Sequence, residues 1–488
     1  MNQLASNSKT AKYLLVATVM LLVLFVYYAI VSPGCEGGMD SYNHYIISLY
    51  CWKYPYLMLD QWGKPLYSIL ASPFAHLGFI GVKIFNILLW LGTAWMVWLI
   101  GLKLELKHAW LGFWLVIIPQ LSIENVVSGL TEYLNAFLLV VFIYLVTIKK
   151  WNLAALIAGL LPFARSEGFI ISAIAGFYIL VVEKQYKVVL WFLSGPLLFN
   201  TLGWIIEGDP LWIIYRNPYI KVQLQGLSSC GSGEFFTYIN QTKVLFSLAG
   251  TILLLTGSGF AVCKMLSKKG RSVFANRVMF WLLSGVFFSY LLVHSYIWWK
   301  GMMGSCGYTR VMVVITPIAA LLSVYGVNQA TLALKRSRLV FLSLVLAVLL
   351  VSTWQSVQHF RYIFPLQISK EQQQFERVAK WLNSYPHQNS RKYFLYPYLN
   401  ILCKIDPYDR NQFDFLWGFD FQYAPDGCLV IWDAHFGPNE GGIKLEELKS
   451  NKSFQLVKSF IPEEKFTTVN NLPFEIYIFK KVKVLGEK

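Results

Sequence analysis

Residues 339–357 read LVFLSLVLAVLLVSTWQSV, an apolar stretch without a charged side chain. Roughly 17–25 such residues are needed for a helix to cross the hydrocarbon core of a bilayer. Residues 13–31 and 79–102 have a similar length and apolar character. Because lipid offers no hydrogen bonds to an open backbone, these segments are predicted to be transmembrane helices.

Composition extends this prediction to most of the chain. Of the 488 residues, 56% are hydrophobic and only 14% are charged, whereas a soluble protein has about 25% charged residues. The 18 Trp and 28 Tyr residues suit the aromatic belts at the two membrane surfaces. The sequence therefore predicts an all-α polytopic membrane protein with about eleven transmembrane helices. They lie at about 13–31, 79–102, 109–123, 132–148, 152–163, 169–183, 188–206, 243–263, 278–298, 311–333 and 339–357.

The basic residues predict the orientation of the chain. The formal net charge is +16, and many Lys and Arg residues lie in alternate short connectors, such as 149–150, 264–277 and 335–338. Basic connectors favour the cytoplasmic side, so the N-terminus is predicted to be cytoplasmic and the loop 32–78 to lie outside. Because these charges are spread over connectors rather than clustered on a soluble module, no nucleic-acid partner is predicted.

The composition changes after about residue 360, where charged residues, Pro and Asn become frequent. Alternating apolar segments at 392–396, 428–432 and 474–480 predict strands, and 370–383 predicts an amphipathic helix. We therefore predict a transmembrane domain at 1–359 and a small extracytoplasmic α/β domain at 360–488. No retention signal ends the chain, which favours a bacterial inner membrane over the endoplasmic reticulum.

The cysteines are predicted to lie mainly outside the cytoplasm, where disulfides can form. The favoured pair is Cys403 with Cys428, and the second is Cys230 with Cys306. The alternative is that several of these cysteines are free thiols that act as small hydrophobic residues.

Ionisable residues at the outer membrane edge are the candidates for function, because charge is costly in lipid. Asp40 follows Gly37-Gly38 and is interpreted either as a general base or as the N-cap of an interfacial helix. His44 has the i,i+4 spacing of a metal pair with Asp40, but a lone histidine facing water is favoured. In the C-terminal domain, the segment 432–435 (Trp-Asp-Ala-His) is either a site or, as favoured, a strand end.

The basic candidates point to an anionic ligand. Lys64 is interpreted as a phosphate ligand or as a lysine that reaches the membrane surface. Arg165 and Arg310 would hold phosphate oxygens through two hydrogen bonds, or pair with Glu132 or Glu167. No Walker A, Gly-x-Ser-x-Gly, HExxH or Asp-x-Asp motif is present, so no ATP, metal, cofactor or nucleotide-sugar donor is predicted.

Several short motifs resemble those of GT-C glycosyltransferases, in the branch of protein O-mannosyltransferases and the lipid A aminoarabinose transferase. The similarity runs from residue 13 to about 320 and keeps the order of the motifs. Two departures are Ser166, where the family has Pro, and Asn43, where the aminoarabinose branch has Arg. The matching motifs are Gly38–Asn43, Trp62–Tyr67, Ser128–Glu132, Phe163–Gly168, Gly208–Leu211 and Gly307–Arg310.

The resemblance implies an inverting, metal-independent transfer of a hexose or pentose from a polyprenyl-phosphate donor to an unidentified lipid, glycan or protein acceptor. It makes Asp40 the general base and places Lys64, Arg165 and Arg310 at the donor phosphate. Residues in supporting roles would be Asn43, Glu132, Glu167 and Asp209. The alternatives are a transporter or flippase of a lipid-linked glycan, or a non-catalytic cell-envelope assembly protein.

Overall fold

The computed structural model describes residues 2–224, 231–334, 337–384, 387 and 389–483. By its internal contacts the chain forms two compact units. The first comprises Met1–Gly37 and His44–Leu366, and the second comprises Gly38–Asn43 and Gln367–Lys488.

The first unit is built from helices. Within the described residues, six helices are long and apolar enough to cross a bilayer, namely Ser8–Val31, Phe79–Lys103, Tyr186–Glu207, Phe274–Lys300, Thr309–Ala333 and Arg338–Ile363. Shorter apolar helices are Glu132–Thr147, Trp151–Ala164, Gly168–Val182 and Gly250–Leu266. Further short helices are Met39–Tyr50, Pro55–Leu59, Pro65–Ala75, Trp212–Tyr215, Pro218–Leu224, Thr237–Asn240 and Lys268–Ser272. The mainly helical, apolar architecture predicted from hydropathy is confirmed.

The predicted helix at 109–123 is divided in the structure. One helix covers Trp110–Ile117 and a second covers Gln120–Asn125, with Pro119 between them in a non-helical conformation. Pro has no N–H for a helical hydrogen bond and restricts the residue before it, so the chain turns here. The turn leads towards Glu132, which begins the next apolar helix.

Two helices of this unit pack closely where Gly257 and Gly326 face each other. A Cβ atom at Gly257 would lie 1.9 Å from the carbonyl oxygen of Leu322 and 3.1 Å from the nitrogen of Gly326. Small residues at helix interfaces in lipid allow such close backbone approach. We infer that glycine is required at position 257.

The second unit contains a five-stranded sheet, as the alternating pattern predicts. The strands are β1 (Lys392–Phe394), β2 (Phe413–Phe415), β3 (Leu429–Asp433), β4 (Phe454–Phe460) and β5 (Ile476–Lys481). Their order is β2-β1-β3-β5-β4, with β1 parallel to both of its neighbours and β5 antiparallel to both of its neighbours. The three predicted strands correspond to β1, β3 and β5, which form the centre of the sheet. The edge strands β2 and β4 were not predicted from the sequence.

Helices accompany this sheet. The longest, Lys370–Leu382, begins with a capping box in which Ser369 and Gln372 exchange side-chain-to-backbone hydrogen bonds, and it confirms the predicted amphipathic helix. The others are Pro397–Cys403, Phe436–Asn439, Leu445–Ser450 and Val469–Asn471.

The favoured disulfide is wrong. Cys403 and Cys428 are both free thiols. Cys403 ends a helix and lies near Lys392, whereas Cys428 precedes β3 and lies near Lys481. Each thiol therefore packs separately as a small hydrophobic group. Cys306 is disulfide-bonded, and Cys230, its predicted partner, lies outside the described residues.

Thiol labelling under non-reducing conditions should distinguish the buried cysteines from Cys263, which is exposed. Burial raises the pKa of the Cys403 thiol to about 11 and that of the Cys428 thiol to about 11. Because the thiolate is the reactive form, both should react with a maleimide far more slowly at pH 7.5 than Cys263 does. Both should react readily after denaturation. A peptide that joins residues 403 and 428 in mass mapping would contradict this result.

Candidate functional site

Glu132 is the buried carboxylate around which the candidate site is arranged. It lies in the first turn of the helix Glu132–Thr147, where the helix dipole favours negative charge, and is only 1% exposed. Arg165 follows the helix Trp151–Ala164 in an extended conformation. Its guanidinium lies 3.2 Å from Glu132 Oε1 and donates a hydrogen bond of 2.8 Å to Thr131 Oγ1.

The same guanidinium reaches a second carboxylate. Arg165 Nη2 lies 2.9 Å from Glu167 Oε1. Burial alone would lower the pKa of Arg165, but the charges of Glu132 and Glu167 raise it overall. Burial would likewise raise the pKa of Glu167, but nearby positive charges lower it overall, and that of Arg165 has the largest effect among them. Arg165 therefore stays cationic and pairs with both carboxylates, as one of the two sequence interpretations predicted.

Arg310 contacts the same oxygen of Glu132 as Arg165 does. Its Nε lies 3.6 Å from Glu132 Oε1, and its guanidinium packs over the ring of Tyr308 at 4.4 Å. It lies at the start of the helix Thr309–Ile315. Glu132 Oε1 is thus shared by two guanidinium groups.

Lys64 differs from both arginines because its partners are neutral. The side chain is buried, and Nζ donates to the Gln61 carbonyl (2.9 Å), Ser166 Oγ (3.1 Å) and Tyr219 Oη (3.3 Å). Among the residues that the structure describes, none offers Lys64 a carboxylate within 4.0 Å. The interpretation that Lys64 extends to the membrane surface is therefore wrong.

The backbone of Lys64 is also unusual. Its φ of 65° lies in the left-handed region, just before Pro65 begins the helix Pro65–Ala75. A non-glycine residue in this region costs about 1–3 kcal/mol and is typical of functional sites. Together, Lys64, Glu132, Arg165, Glu167 and Arg310 form what we call the ion cluster, which has one more cation than carboxylate.

Asp60 is the acidic neighbour of this cluster. Its Oδ1 accepts a 2.6 Å hydrogen bond from the Gly63 N–H. Burial raises the pKa of the Asp60 carboxyl, and the Gly63 hydrogen bond and the charge of Lys64 oppose this effect. The carboxylate therefore holds the turn that carries Lys64.

His44 was predicted to face water, and this is wrong. It is 5% exposed, its ring stacks on Trp62 with centroids 4.8 Å apart, and the edge of Tyr67 lies beside it. Burial, followed by the positive charges of Lys64, Arg165 and Arg310, lowers the pKa of His44 well below its usual value. The imidazole is therefore neutral.

A small cleft borders Lys64, and it combines apolar with polar residues. Gln61 and Ser166, which both accept hydrogen bonds from Lys64, form part of its wall. The other lining residues are Pro65, Pro162, Phe163, Phe169, Ile213 and Asn217. The buried ammonium group thus lies beside a shallow cleft whose surface is both polar and apolar.

The ion cluster does not include the predicted site residues Asp40, Asn43 and Asp209. Asp209 Oδ1 accepts a hydrogen bond from the Leu211 N–H (3.0 Å) and so stabilises a turn. Asp40 and Asn43 belong to the second unit. Asp40 lies in the first turn of the helix Met39–Tyr50, inside the helix rather than at its N-cap.

The partners of Lys64 were not predicted from the sequence; they are Ser166, Tyr219 and Gln61. Ser166 stands inside the motif Phe163–Gly168, where its departure from the family's Pro was the available signal. Tyr219 and Gln61 gave no comparable signal. Gln61 acts through its backbone carbonyl, and neither a carbonyl nor a lone tyrosine distinguishes one segment of the sequence from another.

Removal of Arg165 should strongly destabilise the first unit. In Arg165→Met, the buried carboxylates of Glu132 and Glu167 lose their shared cation, and breaking a buried ion pair costs about 3–5 kcal/mol. The exposed pair Arg216–Glu207 (2.9 Å) is the matched control, and Arg216→Met should cost about 0–1 kcal/mol. The free energy of unfolding in detergent measures both. Equal losses in the two variants would contradict the burial argument.

Solved structures share the fold of the whole chain. ArnT from Cupriavidus metallidurans bound to undecaprenyl phosphate is 9% identical, with a TM-score of 0.56 over 95% of this chain and 97% of that one. The apo state of the same protein has 9% identity and a TM-score of 0.57 over 96% and 98%. ArnT is a GT-C glycosyltransferase of the branch that the motifs resemble, so the predicted fold is confirmed. No protein-family model matches the sequence, and no curated protein matches it significantly.

Proposed function

We propose that this chain is a membrane glycosyltransferase that moves a sugar from a polyprenyl-phosphate donor to an acceptor hydroxyl on a lipid, glycan or protein. The observation that supports it most is Lys64, a buried ammonium group whose hydrogen-bond partners among the described residues are neutral oxygens, and which lies beside a cleft of mixed polar and apolar surface. A buried cation without a paired carboxylate is stabilised by an anionic ligand. Undecaprenyl phosphate, which is bound in the ArnT structure, combines such an anion with an apolar chain.

In this proposal the ion cluster holds the donor phosphate. Lys64, Arg165 and Arg310 would bind the phosphate oxygens, while Glu132 and Glu167 fix the two guanidinium groups. As the bond from the sugar C1 to the phosphate oxygen breaks, negative charge grows on the leaving phosphate. Fixed cations stabilise that charge in the transition state, so the transfer needs no metal.

The first isoprene units of the donor would lie against the apolar residues of the cleft. Pro65, Pro162 and Phe169 offer it an apolar wall next to Lys64. Burying such a chain is favourable by about 0.8 kcal/mol per CH₂ group.

Asp40 would act as general base in an inverting transfer. Its carboxylate would take the proton of the acceptor hydroxyl as the oxygen attacks C1. We assign Asn43, in the same helix, a supporting role. His44, being neutral, adds no charge beside the phosphate.

We further propose that the chain crosses a bacterial inner membrane about eleven times, with a cytoplasmic N-terminus and the 360–488 domain outside. Six long apolar helices and four shorter ones support multiple crossings. The site would then face the compartment in which lipid-linked sugars are used.

The test is direct. The purified full-length protein in lipid nanodiscs is incubated with undecaprenyl phosphate that carries a radiolabelled hexose or pentose, together with a membrane extract as source of acceptor. Release of undecaprenyl phosphate with transfer of label is expected. Movement of intact donor between leaflets without its cleavage would instead identify a flippase.

A further inference from the structure

The stretch 264–271 is a strongly basic connector between the apolar helices Gly250–Leu266 and Phe274–Lys300. It contains no acidic residue, and the exposed cations that extend from it are Lys264, Lys268, Lys269 and Arg271. Like charges that lie so close together repel one another. An anion that lies among them would relieve this repulsion.

Hydrogen bonds from two neighbouring side chains fix the shape of this connector. Arg277 Nη1 donates to the carbonyl oxygens of Arg271 (3.3 Å) and Ser272 (2.9 Å). Asn276 Nδ2 donates to the carbonyl oxygen of Gly270 at 3.0 Å. The cations are therefore carried by a turn that is tied to the start of the next helix.

The connector 183–187 is joined to the first one by the same arginine. Arg277 donates from Nε to Glu183 Oε1 (2.8 Å) and from Nη2 to Glu183 Oε2 (3.1 Å). A pair with two such bonds is among the strong contacts between charged side chains. Glu183 is the one acidic residue in the sequence 183–187, and Arg277 pairs with its charge. The exposed Lys184 and Lys187 therefore add positive charge to that of 264–271.

A third connector meets the other two at the ring of Phe274. Lys149 Nζ lies over this ring, 5.5 Å from its centroid, and the ring of Trp151 lies edge-on to it at 6.4 Å. Lys149 and Lys150 are both exposed. These connectors are far apart in the sequence, and only the folded chain brings them together. The basic face is our name for the exposed cations of the three connectors 149–150, 184–187 and 264–271.

The basic face lies at one end of several apolar helices. The helices Glu132–Thr147 and Gly250–Leu266 end beside it, whereas Tyr186–Glu207 and Phe274–Lys300 begin there. Helices of this kind cross the hydrocarbon and place their ends at the level of the lipid headgroups. Anionic headgroups give that level a negative potential, which attracts Lys and Arg side chains.

The basic face is remote from the ion cluster. Glu132 begins the helix Glu132–Thr147, and Lys149 follows the end of the same helix. A helix of 16 residues is about 24 Å long, so the two groups of cations lie near its opposite ends. A ligand of the basic face is therefore distinct from the donor phosphate that the ion cluster is proposed to hold.

We propose that the basic face binds anionic phospholipids, whose phosphate groups lie between the cations of the three connectors. The bound phosphates offset the repulsion among these cations. The exposed ring of Tyr186 and the partly exposed ring of Trp151 suit this position, because both side chains favour the headgroup region. The inference does not rest on the proposed function, since it concerns the lipid around the chain and not the reaction.

The test measures binding of a fluorescent phosphatidylglycerol to the purified full-length protein in uncharged detergent micelles, with fluorescent phosphatidylcholine as the zwitterionic comparison. Each cation near an anionic lipid surface strengthens binding about fivefold. The triple variant Lys268→Gln/Lys269→Gln/Arg271→Gln should therefore bind phosphatidylglycerol about 100-fold more weakly. Lys149→Gln/Lys150→Gln should weaken the same binding about 25-fold, because these lysines belong to the same face. Neither variant should change the binding of phosphatidylcholine.

The matched control removes the same amount of positive charge from the second unit. It is Lys444→Gln/Lys452→Gln/Lys458→Gln, which replaces three exposed lysines. Distant exposed charges are screened by salt, so its affinity for phosphatidylglycerol should stay within about twofold of the wild type. An equal loss in this control would show that net charge alone sets the affinity, and would overturn the inference. Unchanged affinity in either test variant would also overturn it, as would displacement of the labelled lipid by inorganic phosphate at the same concentration.

Two further measurements separate lipid binding from other effects. Thermal unfolding of the test variants should match that of the wild type, because every replaced side chain is exposed and the hydrogen bonds of Arg277 and Asn276 are kept. Lys64→Met should bind phosphatidylglycerol as the wild type does, since Lys64 belongs to the ion cluster. Loss of binding in Lys64→Met would place the phospholipid in the ion cluster and so overturn the inference.

Discussion

Lys64→Met should lower kcat/KM for a polyprenyl-phosphate donor by about 100-fold or more, and should weaken binding of undecaprenyl phosphate alone. The reason is that the ammonium group is the cation of the ion cluster without a carboxylate partner, so its charge is available to the phosphate. Losing one fixed donor to a developing oxyanion typically costs about 10²–10³ in rate. Turnover and equilibrium binding of the labelled lipid provide the two measurements.

Lys83 supplies a matched control, because it is equally buried and also hydrogen-bonds to neutral oxygens. Its Nζ donates to the carbonyl oxygens of Ser32 (2.7 Å) and Gly34 (3.0 Å), just after the helix Ser8–Val31 ends. Lys83→Met leaves these carbonyls without a donor and should cost about 1–3 kcal/mol of stability. The folded fraction should bind the lipid normally. Equal losses of affinity in both variants would show that burial of a lysine, rather than its place in the ion cluster, is what matters.

The helices were predictable because hydropathy over a span of lipid thickness is a local property of the sequence. The break at Pro119 was missed, because hydropathy averaged over a long window is insensitive to a single proline, although proline is the local signal for such a break. The central strands of the C-terminal sheet were predictable because the alternation of apolar residues is also a local property of the sequence. The edge strand β4 has mostly exposed residues, so its pattern is weak.

The site was predictable only in part. Arg165 and Glu167 lie two positions apart, so their pairing follows from the motif alone. By contrast, Lys64 and Tyr219 lie 155 positions apart, and only the folded chain brings them together. The burial of His44 against Trp62 likewise depends on packing. The wrong pairing of Cys403 with Cys428 has a related cause, since spacing along the chain does not give the distance between two side chains.

Asp40→Asn should lower turnover by about 10²–10⁴-fold, the usual contribution of a general base, and leave donor binding unchanged. Asn keeps the size and polarity of Asp at this position in the first turn of the helix Met39–Tyr50 but cannot accept the proton of the acceptor hydroxyl. Because Asp40 is proposed to act on the acceptor, its loss should appear in kcat rather than in the affinity for undecaprenyl phosphate. Single-turnover transfer of label, measured beside lipid binding, separates the two.

Asp209→Asn is the appropriate comparison, because it makes the same change in an aspartate that only holds a turn. The Asn oxygen can still accept the hydrogen bond that the Leu211 N–H donates to Asp209 Oδ1, so turnover should remain within about twofold of the wild type. If Asp40→Asn retained wild-type turnover, the carboxylate would have no part in the chemistry, and another base would have to remove the acceptor proton. If instead both variants lost turnover equally, a general effect of removing acidic charge would explain the loss. A selective defect in Asp40→Asn, with lipid binding intact, would leave proton removal as the step that this carboxylate performs.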